Sequence, residues 1–192
     1  PNNPSGQVCE NLEEISEITK KYNLTILSDE IYSELSFEEG FKSISSFCPE
    51  KTIISSGLSK WCGAGGWRLG YFIVPNSLSI LRDSINVLAS ETFSAVSAPI
   101  QYAAITAYTN DHNEYINSSK NILNAVGNYV YESLKSNKVL INKPQGGFYL
   151  MPEFINKKFN TSSEMCDNIL KETGVALLPG SDFGFEKNKM LA

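Results

Sequence analysis

Short apolar runs bounded by turn residues constrain the fold of this chain more than any other feature of its sequence. Three such runs occur in its first part, at residues 24–28, 52–55 and 69–74. They are rich in isoleucine, leucine and aromatic residues, and each is shorter than an ordinary helix. Runs of this kind are typical of strands in a parallel sheet that is covered on both faces. The sequence therefore predicts a parallel sheet core.

Segments with helical periodicity alternate with these runs. Residues 9–22 place Leu12, Ile15 and Ile18 at helical spacing, with acidic residues early and two lysines late, which is the charge order that a helix dipole favours. Further helices are predicted at residues 77–89, 98–108 and 111–135. Strands that alternate with helices indicate an α/β class of fold.

The pattern changes near residue 137. Three strand-like runs and one helix-like stretch follow, at residues 139–141, 147–151, 162–172 and 175–178. This order predicts a second, smaller α+β domain over residues 137–192. The first domain would then cover residues 1–136 and end with the long connecting helix.

Composition argues against several kinds of partner. The 192 residues carry a formal net charge of −5 without a lysine- and arginine-rich stripe, so we expect no nucleic-acid binding. No apolar run approaches the roughly 18 residues of a membrane span, so we expect no membrane partner. One histidine and four cysteines without metal-ligand spacing predict that there is no metal site. Scattered thiols of this kind indicate a cytoplasmic protein.

A carboxylate and a tyrosine follow the first apolar run, in the stretch SDEIYSEL at residues 28–35. Asp29 stands where the predicted strand ends, and Tyr32 comes three residues later. Taken alone, Asp29 can be a solvated strand-end residue or a carboxylate directed at a ligand. Tyr32 alone can equally be a core tyrosine whose hydroxyl is satisfied.

The densest group of chemically useful residues lies in SSGLSKWCGAGGWRLGYFIV, at residues 55–74. Lys60 follows a predicted strand, and Arg68 follows a glycine-rich loop. A lysine amine can form a Schiff base with a carbonyl compound, and a guanidinium group can bind a phosphate through two N–H groups. Taken alone, Lys60 can also be a surface residue, and Arg68 can simply pack on a tryptophan. The glycines lack the spacing of a dinucleotide-binding motif.

Four motifs together carry a resemblance to a known family. They are NPSG at residues 3–6, DEIY at 29–32, SK at 59–60 followed by GWRLG at 66–70, and PQGGFY at 144–149. In this order and spacing the chain resembles the pyridoxal-phosphate-dependent aminotransferases of class I/II, which have fold type I. The resemblance implies a three-layer α/β large domain with a parallel sheet, followed by the smaller α+β domain.

The resemblance implies roles for five residues. Asp29 would pair with the protonated ring nitrogen of pyridoxal 5'-phosphate, while Tyr32 and Asn3 would hydrogen-bond its ring oxygen. Lys60 would carry the cofactor as a Schiff base and move the substrate α-proton, and Arg68 would bind the phosphate. Asp29, Tyr32 and Lys60 are thus the predicted catalytic residues.

The resemblance also implies that parts of the family pattern lie outside this sequence. A turn that binds the cofactor phosphate would precede Pro1, and the arginine that binds the substrate carboxylate would follow Ala192. We therefore expect the large domain to be truncated at its amino terminus and the small domain at its carboxyl terminus. We also expect the chain by itself to bind the cofactor poorly and to be inactive. Gly57 departs from the pattern, since many relatives have a phosphate-binding serine there.

The implied function of the intact protein is reversible transfer of an amino group between an L-amino acid and a 2-oxo acid. The resemblance further implies a homodimer. Fold and cofactor motifs do not determine the reaction, so two alternatives stay open. One is another reaction on the same scaffold, such as β-elimination at a C–S bond or cyclisation of a sulfonium amino acid. The other is a scaffold without catalysis. The sequence does not determine which amino acid is used.

Overall fold

The fold was taken from a computed structural model, which describes residues 1–38, 40–136, 138–155 and 158–185. The described residues divide into two compact units. One is Cys9–Ser119, and the other combines Pro1–Val8 with the described residues from Lys120 onward. We refer to them as the central unit and the terminal unit.

A three-stranded sheet forms the middle of the central unit. Its strands are β1 (Ile26–Asp29), β2 (Thr52–Gly57) and β3 (Gly70–Ile73), in the spatial order β1-β2-β3. The first pair is parallel, as the sequence predicted, and its register places Asp29 opposite Ser55. The second pair is antiparallel, with Gly57 opposite Gly70, so the prediction of an all-parallel sheet was wrong for β3.

The connection between β2 and β3 explains the antiparallel direction. It contains only a short 3-10 turn, Gly65–Trp67, between the end of β2 and the start of β3. The Leu58 backbone N–H donates to the Leu69 carbonyl at 3.2 Å, so both ends of the connection stay at one edge of the sheet. A strand that starts at the edge where its neighbour ends must run in the opposite direction.

Within the described residues, five α-helices accompany the strands, and the sequence predicted each of them. They are α1 (Leu12–Lys21), α2 (Ser79–Thr92), α3 (Ala98–Thr109), α4 (Asn113–Leu134) and α5 (Ser162–Thr173). In α5, the Thr161 side chain caps the first turn by accepting the Glu164 backbone N–H at 3.2 Å. The Glu164 carboxylate accepts the Asn160 N–H at 3.0 Å, and Gly174 ends the helix with φ 75°.

The core of the central unit lies where the β2–β3 connection meets α3. Its buried residues are Leu58, Trp61, Leu69 and Ala104. The outer strands are less covered than the sequence predicted, because Leu27 on β1 is 64% exposed and Phe72 on β3 is 53% exposed. The three strands by themselves therefore do not supply the double covering expected of a buried parallel sheet.

The terminal unit contains an antiparallel pair and α5. Strand β4 (Val139–Leu140) pairs with β5 (Glu153–Phe154), and Met165 and Cys166 of α5 form a small core. The strand predicted at residues 139–141 is confirmed in shorter form. The strand predicted at residues 147–151 was wrong, because residues 147 and 148 form a turn and the strand begins at Glu153. The run at residues 175–178 is also not a strand, since a strand exists only where the backbone finds a pairing partner.

Within the described ranges, no helix combines the length and the apolar character that a membrane span requires.

Candidate active site

Lys60 lies on a segment that several backbone hydrogen bonds hold in place. The segment leaves β2 after Gly57, and Leu58 is buried with 2% of its surface exposed. The Ala64 N–H donates to the Leu58 carbonyl at 3.2 Å, and the Gly63 N–H donates to the Lys60 carbonyl at 3.4 Å. The backbone of Lys60 is therefore fixed while its side chain is partly exposed.

Tyr32 lies beside the Lys60 amine. The Lys60 Nζ atom is 5.6 Å from the centroid of the Tyr32 ring, within the range of a cation–π contact. Tyr32 is 6% exposed and follows β1 in a short turn, where its carbonyl accepts the Leu35 N–H at 2.9 Å. The structure thus brings together two of the predicted catalytic residues, which come from the ends of two adjacent strands.

Asp29 ends β1 at the same edge of the sheet. It lies opposite Ser55 of the parallel neighbour β2, whose carboxyl end leads to Lys60. The Asp29 Oδ1 atom accepts the Ile31 backbone N–H at 3.2 Å, and its side chain is exposed. Open α/β folds bind their ligands at the carboxyl edge of parallel strands. Asp29, Tyr32 and Lys60 lie at or just after the carboxyl ends of β1 and β2.

Arg68 has an unusual backbone conformation. It follows the turn Gly65–Trp67 with φ 55° and ψ 46°, the left-handed region that residues other than glycine rarely adopt. Its Nη1 atom donates to the Gly65 carbonyl at 2.7 Å, and the side chain is exposed. One guanidinium N–H thus orients the side chain within the loop. A guanidinium has five N–H donors, so others are left to bind an anion.

The structure gives a reason for Gly57, which the sequence showed only as a departure from the family pattern. A Cβ atom at this position would lie 2.5 Å from the Leu69 carbonyl oxygen and 3.0 Å from the Gly70 Cα atom. Both contacts are with backbone, which cannot turn away as a flexible side chain would. The close approach of β2 and β3 therefore requires glycine, and it leaves no space for a serine side chain.

Asn3 belongs to the terminal unit and lies in an ordered turn. The Asn2 side chain accepts the Ser5 hydroxyl at 2.9 Å, and the Asn2 carbonyl accepts the Gly6 N–H at 2.8 Å. The Asn3 side chain is exposed. Its predicted hydrogen bond to the same cofactor oxygen as Tyr32 stays a prediction.

Two family motifs that are far apart in sequence pack together within the terminal unit. The Gln145 side chain accepts the Val8 N–H at 2.8 Å, and the Gln145 N–H donates to the Gly6 carbonyl at 2.9 Å. A Cβ atom on Gly6, which has φ +69°, would lie 2.6 Å from the Tyr149 carbonyl oxygen. The PQGGFY segment is thus a docking surface for the NPSG turn, a relationship that nothing in the spacing of the two motifs indicates.

Aromatic residues surround a cavity of about 490 Å³ next to the Lys60 segment. Trp61 and Tyr108 have ring centroids 5.8 Å apart, and Tyr71 meets Tyr108 edge to face at 5.6 Å. Partial burial raises the pKa of Tyr108, the Tyr71 hydroxyl raises it further and Trp61 opposes the change. The lining includes Ser33, Ser56 and Trp61, which are sequence neighbours of the candidate site residues, but not Asp29, Tyr32 or Lys60 themselves. The candidate site is therefore an open strand edge and not this cavity.

The fold and the site define a class of protein, an α/β domain in which a lysine, a tyrosine and a carboxylate follow two parallel strands at one sheet edge. The sequence model described as "Aminotransferase class I and II" matches residues 1–190. The chain belongs to this family.

Individual relatives agree with this assignment. The chain is 35% identical to the putative aminotransferase YugH of Bacillus subtilis over 188 residues, which are 96% of this chain and 47% of that protein. It is 34% identical to a probable N-acetyl-LL-diaminopimelate aminotransferase of the same organism, covering 95% of this chain and 46% of that protein. The chain thus spans about half the length of the curated relatives it matches.

Solved structures give the same result. An alanine aminotransferase from Pyrococcus furiosus matches with a TM-score of 0.90 and 33% identity, over 100% of this chain and 50% of that chain. An aspartate aminotransferase from Thermotoga maritima matches with a TM-score of 0.83 and 31% identity, over 100% of this chain and 48% of that one. The family generally uses pyridoxal phosphate.

Proposed function

We propose that the full-length protein containing this chain is an aminotransferase, which moves an amino group reversibly between an L-amino acid and a 2-oxo acid. The observation that carries this proposal is the placement of the Lys60 amine 5.6 Å from the Tyr32 ring, in a chain of the aminotransferase family. Asp29 ends the parallel strand from which Tyr32 follows, so three chemically different groups converge on one strand edge.

The side chains of the central unit fit the chemistry of pyridoxal phosphate. A primary amine at Lys60 suits its aldehyde, a phenol at Tyr32 suits its ring oxygen, and a carboxylate at Asp29 suits its ring nitrogen. The guanidinium of Arg68 suits its phosphate. When bound, the cofactor supplies an electron sink for the substrate α-carbon.

Lys60 is the proposed residue for both attachment and proton transfer. Its side chain leaves a backbone segment that is held close to β3 by the Leu58 backbone, and its Nζ atom lies 5.6 Å from the centroid of the Tyr32 ring. An amine in this position would accept the α-proton of the substrate and return it to another carbon. The Tyr32 hydroxyl would hydrogen-bond the ring oxygen of the cofactor.

Asp29 is the proposed partner of the ring nitrogen. Its Oδ1 atom accepts one backbone N–H from Ile31, which orients the carboxylate without satisfying all of its acceptor positions. An ionised carboxylate at this place would keep the ring nitrogen protonated, and Asn3 would share the ring oxygen with Tyr32.

The remaining parts of the proposal concern the whole protein. We include in it the predicted large domain over residues 1–136, the small domain over residues 137–192, a homodimer and a cytoplasmic location. Leu27 and Phe72 on the outer strands are exposed apolar side chains, which favours the proposal that further parts of the protein cover this sheet. The four free cysteines support a reducing compartment.

The proposal is tested by product analysis on the full-length protein. We expect a mixture of single L-amino acids with 2-oxoglutarate and pyridoxal phosphate to give glutamate and the matching 2-oxo acid, detected by mass spectrometry. Lys60→Ala should abolish product and the visible absorbance of the attached cofactor, whereas Lys42→Ala, a change at an exposed lysine, should preserve both. Release of ammonia and pyruvate without glutamate would show an elimination reaction instead. Absence of any visible band in the wild-type protein would favour a scaffold without catalysis.

A further inference from the structure

Glu30 stands between two of the proposed catalytic residues and makes an unusual set of contacts. Its Oε1 atom accepts the Ser43 hydroxyl at 2.6 Å and the Ser28 hydroxyl at 3.0 Å. The Ser43 Oγ atom also accepts the Ser45 N–H at 3.1 Å and caps the short 3-10 turn Ile44–Ser46. One carboxylate oxygen therefore ties β1 to a separate segment of the central unit.

The backbone of Glu30 is held as firmly as its side chain. Its N–H donates to the Ser55 carbonyl of β2 at 2.8 Å, and its carbonyl accepts the Ser33 N–H at 3.0 Å. Glu30 is thus bonded to β1, to β2, to the turn that carries Tyr32 and to the segment at Ser43.

We propose that Glu30 is a positioning residue, which orients Asp29 and Tyr32 at the strand edge by binding the hydroxyls of Ser28 and Ser43. Successive side chains of an extended chain point to opposite faces. Ser28 and Glu30 are two residues apart and bond to each other, so they share one face, and Asp29 must point to the other. Anchoring Glu30 therefore keeps the Asp29 carboxylate directed away from the Ser43 segment. The proposal rests on the proposed function, because it concerns how the catalytic groups are oriented.

Hydrogen bonds to a charged group are stronger than those between neutral groups, so this anchor can govern local order. The bond between Glu30 and Ser43 is also short, at 2.6 Å. The same contacts could instead stabilise the fold in general, so the experiment separates local positioning of Asp29 and Tyr32 from general stabilisation.

The experiment compares Glu30→Ala, Glu30→Gln and Ser43→Ala with the control Glu34→Ala in the full-length protein. Glu34 is four residues along the chain and its side chain is exposed. The first measurement is hydrogen exchange of the cofactor-free protein, followed by mass spectrometry on peptides covering residues 28–36. We expect Glu30→Ala and Ser43→Ala to accelerate exchange there by about tenfold or more, and a protein that carries both substitutions to exchange little faster than either single variant. Glu30→Gln keeps an acceptor oxygen and should recover most of the protection.

The second measurement is the pH midpoint of the visible absorbance in the cofactor-loaded protein. If the Asp29 carboxylate is less well oriented, it stabilises the positive charge on the ring nitrogen less. The pKa of the Lys60 Nζ atom that is bonded to the cofactor should then rise. We therefore expect an upward shift in Glu30→Ala, a smaller one in Glu30→Gln and none in Glu34→Ala. A purely structural role would lower the unfolding midpoint without moving this pH midpoint.

Two results would overturn the inference. One is faster exchange spread evenly over α1, the strands and residues 28–36, which would show a general loss of stability. The other is an unchanged pH midpoint in Glu30→Ala while the wild-type protein carries the cofactor normally. If the wild-type protein takes up no cofactor, the proposed function fails, and the exchange measurement still decides whether Glu30 orders this segment.

Discussion

The Lys60 Nζ atom lies 5.6 Å from the centroid of the Tyr32 ring, and the two residues follow different strands of one parallel pair. The ring is 6% exposed, so the amine faces a fixed surface. An amine at this distance from the ring centroid makes a cation–π contact with the ring. This arrangement leads to the first prediction.

Tyr32→Phe should keep the ring beside Lys60 and remove only the hydroxyl. In the full-length protein we expect pyridoxal phosphate to remain attached, and the pH midpoint of its visible absorbance to move upward. The reason is that the hydrogen bond from the phenol to the ring oxygen favours the unprotonated form of the Lys60 Nζ atom when it is bonded to the cofactor. A spectrophotometric pH titration measures this midpoint. Tyr22→Phe, at a tyrosine that is 62% exposed, serves as the control and should leave it unchanged.

Arg68 combines a proposed phosphate contact with a left-handed backbone, and two substitutions separate these properties. Arg68→Ala and Arg68→Gly should both weaken pyridoxal phosphate binding, because both remove the guanidinium. Glycine adopts φ near 55° without steric cost, so Arg68→Gly should be more stable than Arg68→Ala by about 1 kcal/mol. Denaturant unfolding of the cofactor-free protein measures the difference. Equal stability of the two variants would contradict the strain at this position.

Gly57→Ser would introduce the serine that the family resemblance implies at this position. We expect it to lower the free energy of unfolding by about 1–3 kcal/mol, because the new Cβ atom meets the Leu69 carbonyl oxygen at 2.5 Å. Gly66→Ser is the matched control, since a Cβ atom at Gly66 has no heavy atom within 4 Å. Urea unfolding of both variants gives the comparison. A Gly57→Ser protein as stable as Gly66→Ser would show that β2 and β3 separate easily.

Cys166 and Cys9 should differ in their reactivity. Cys166 is 6% exposed and its pKa is raised, first by burial and then by the carboxylates of Asp167 and Asp182, whereas Cys9 is exposed. The thiolate is the reactive form, so iodoacetamide at mildly alkaline pH should modify Cys9 well before Cys166. Mass spectrometry of the digested protein follows both sites. Equal rates in the folded protein would contradict the burial of Cys166.

The raised pKa of Cys166 also predicts the sign of a pH effect. A thiol whose pKa is higher in the folded than in the unfolded chain favours folding while it stays neutral. Its contribution to stability is complete below the ordinary pKa of about 8.5, and it is lost as the pH rises through the raised value. Cys166→Ala should therefore flatten the fall in unfolding midpoint over this alkaline range. A slope identical to that of the wild-type protein would contradict this assignment.

Sequence reasoning was accurate where structure depends on local interactions. The five helices of the described residues lie where helical stretches were predicted, and local interactions such as the Thr161 cap and the left-handed Gly174 of α5 determine where a helix begins and ends. The parallel pairing of β1 with β2 was predicted from the apolar composition of the two runs, and in the described residues only short 3-10 turns connect these strands. The grouping of Asp29, Tyr32 and Lys60 at one edge follows from strand order.

Sequence reasoning was less accurate where a segment pairs or packs with residues that are distant in the chain. The run at residues 69–74 reads as a parallel strand by composition, but the hydrogen bond from Leu58 to Leu69 turns it back along β2. The glycine-containing run at residues 147–151 reads as a strand, yet it forms the turn that receives Gly6. Glu30 received no role from the sequence, because its two serine partners have no recognisable spacing.

The sequence by itself determined the helices and the family, because these depend on residue type and on bonds within a few positions. The tertiary structure decided the direction of β3, the need for glycine at position 57 and the contact between Lys60 and Tyr32. These features depend on contacts between backbone and side-chain atoms that are far apart in the sequence. Such contacts form only when the chain packs, so the order of residue types does not reveal them.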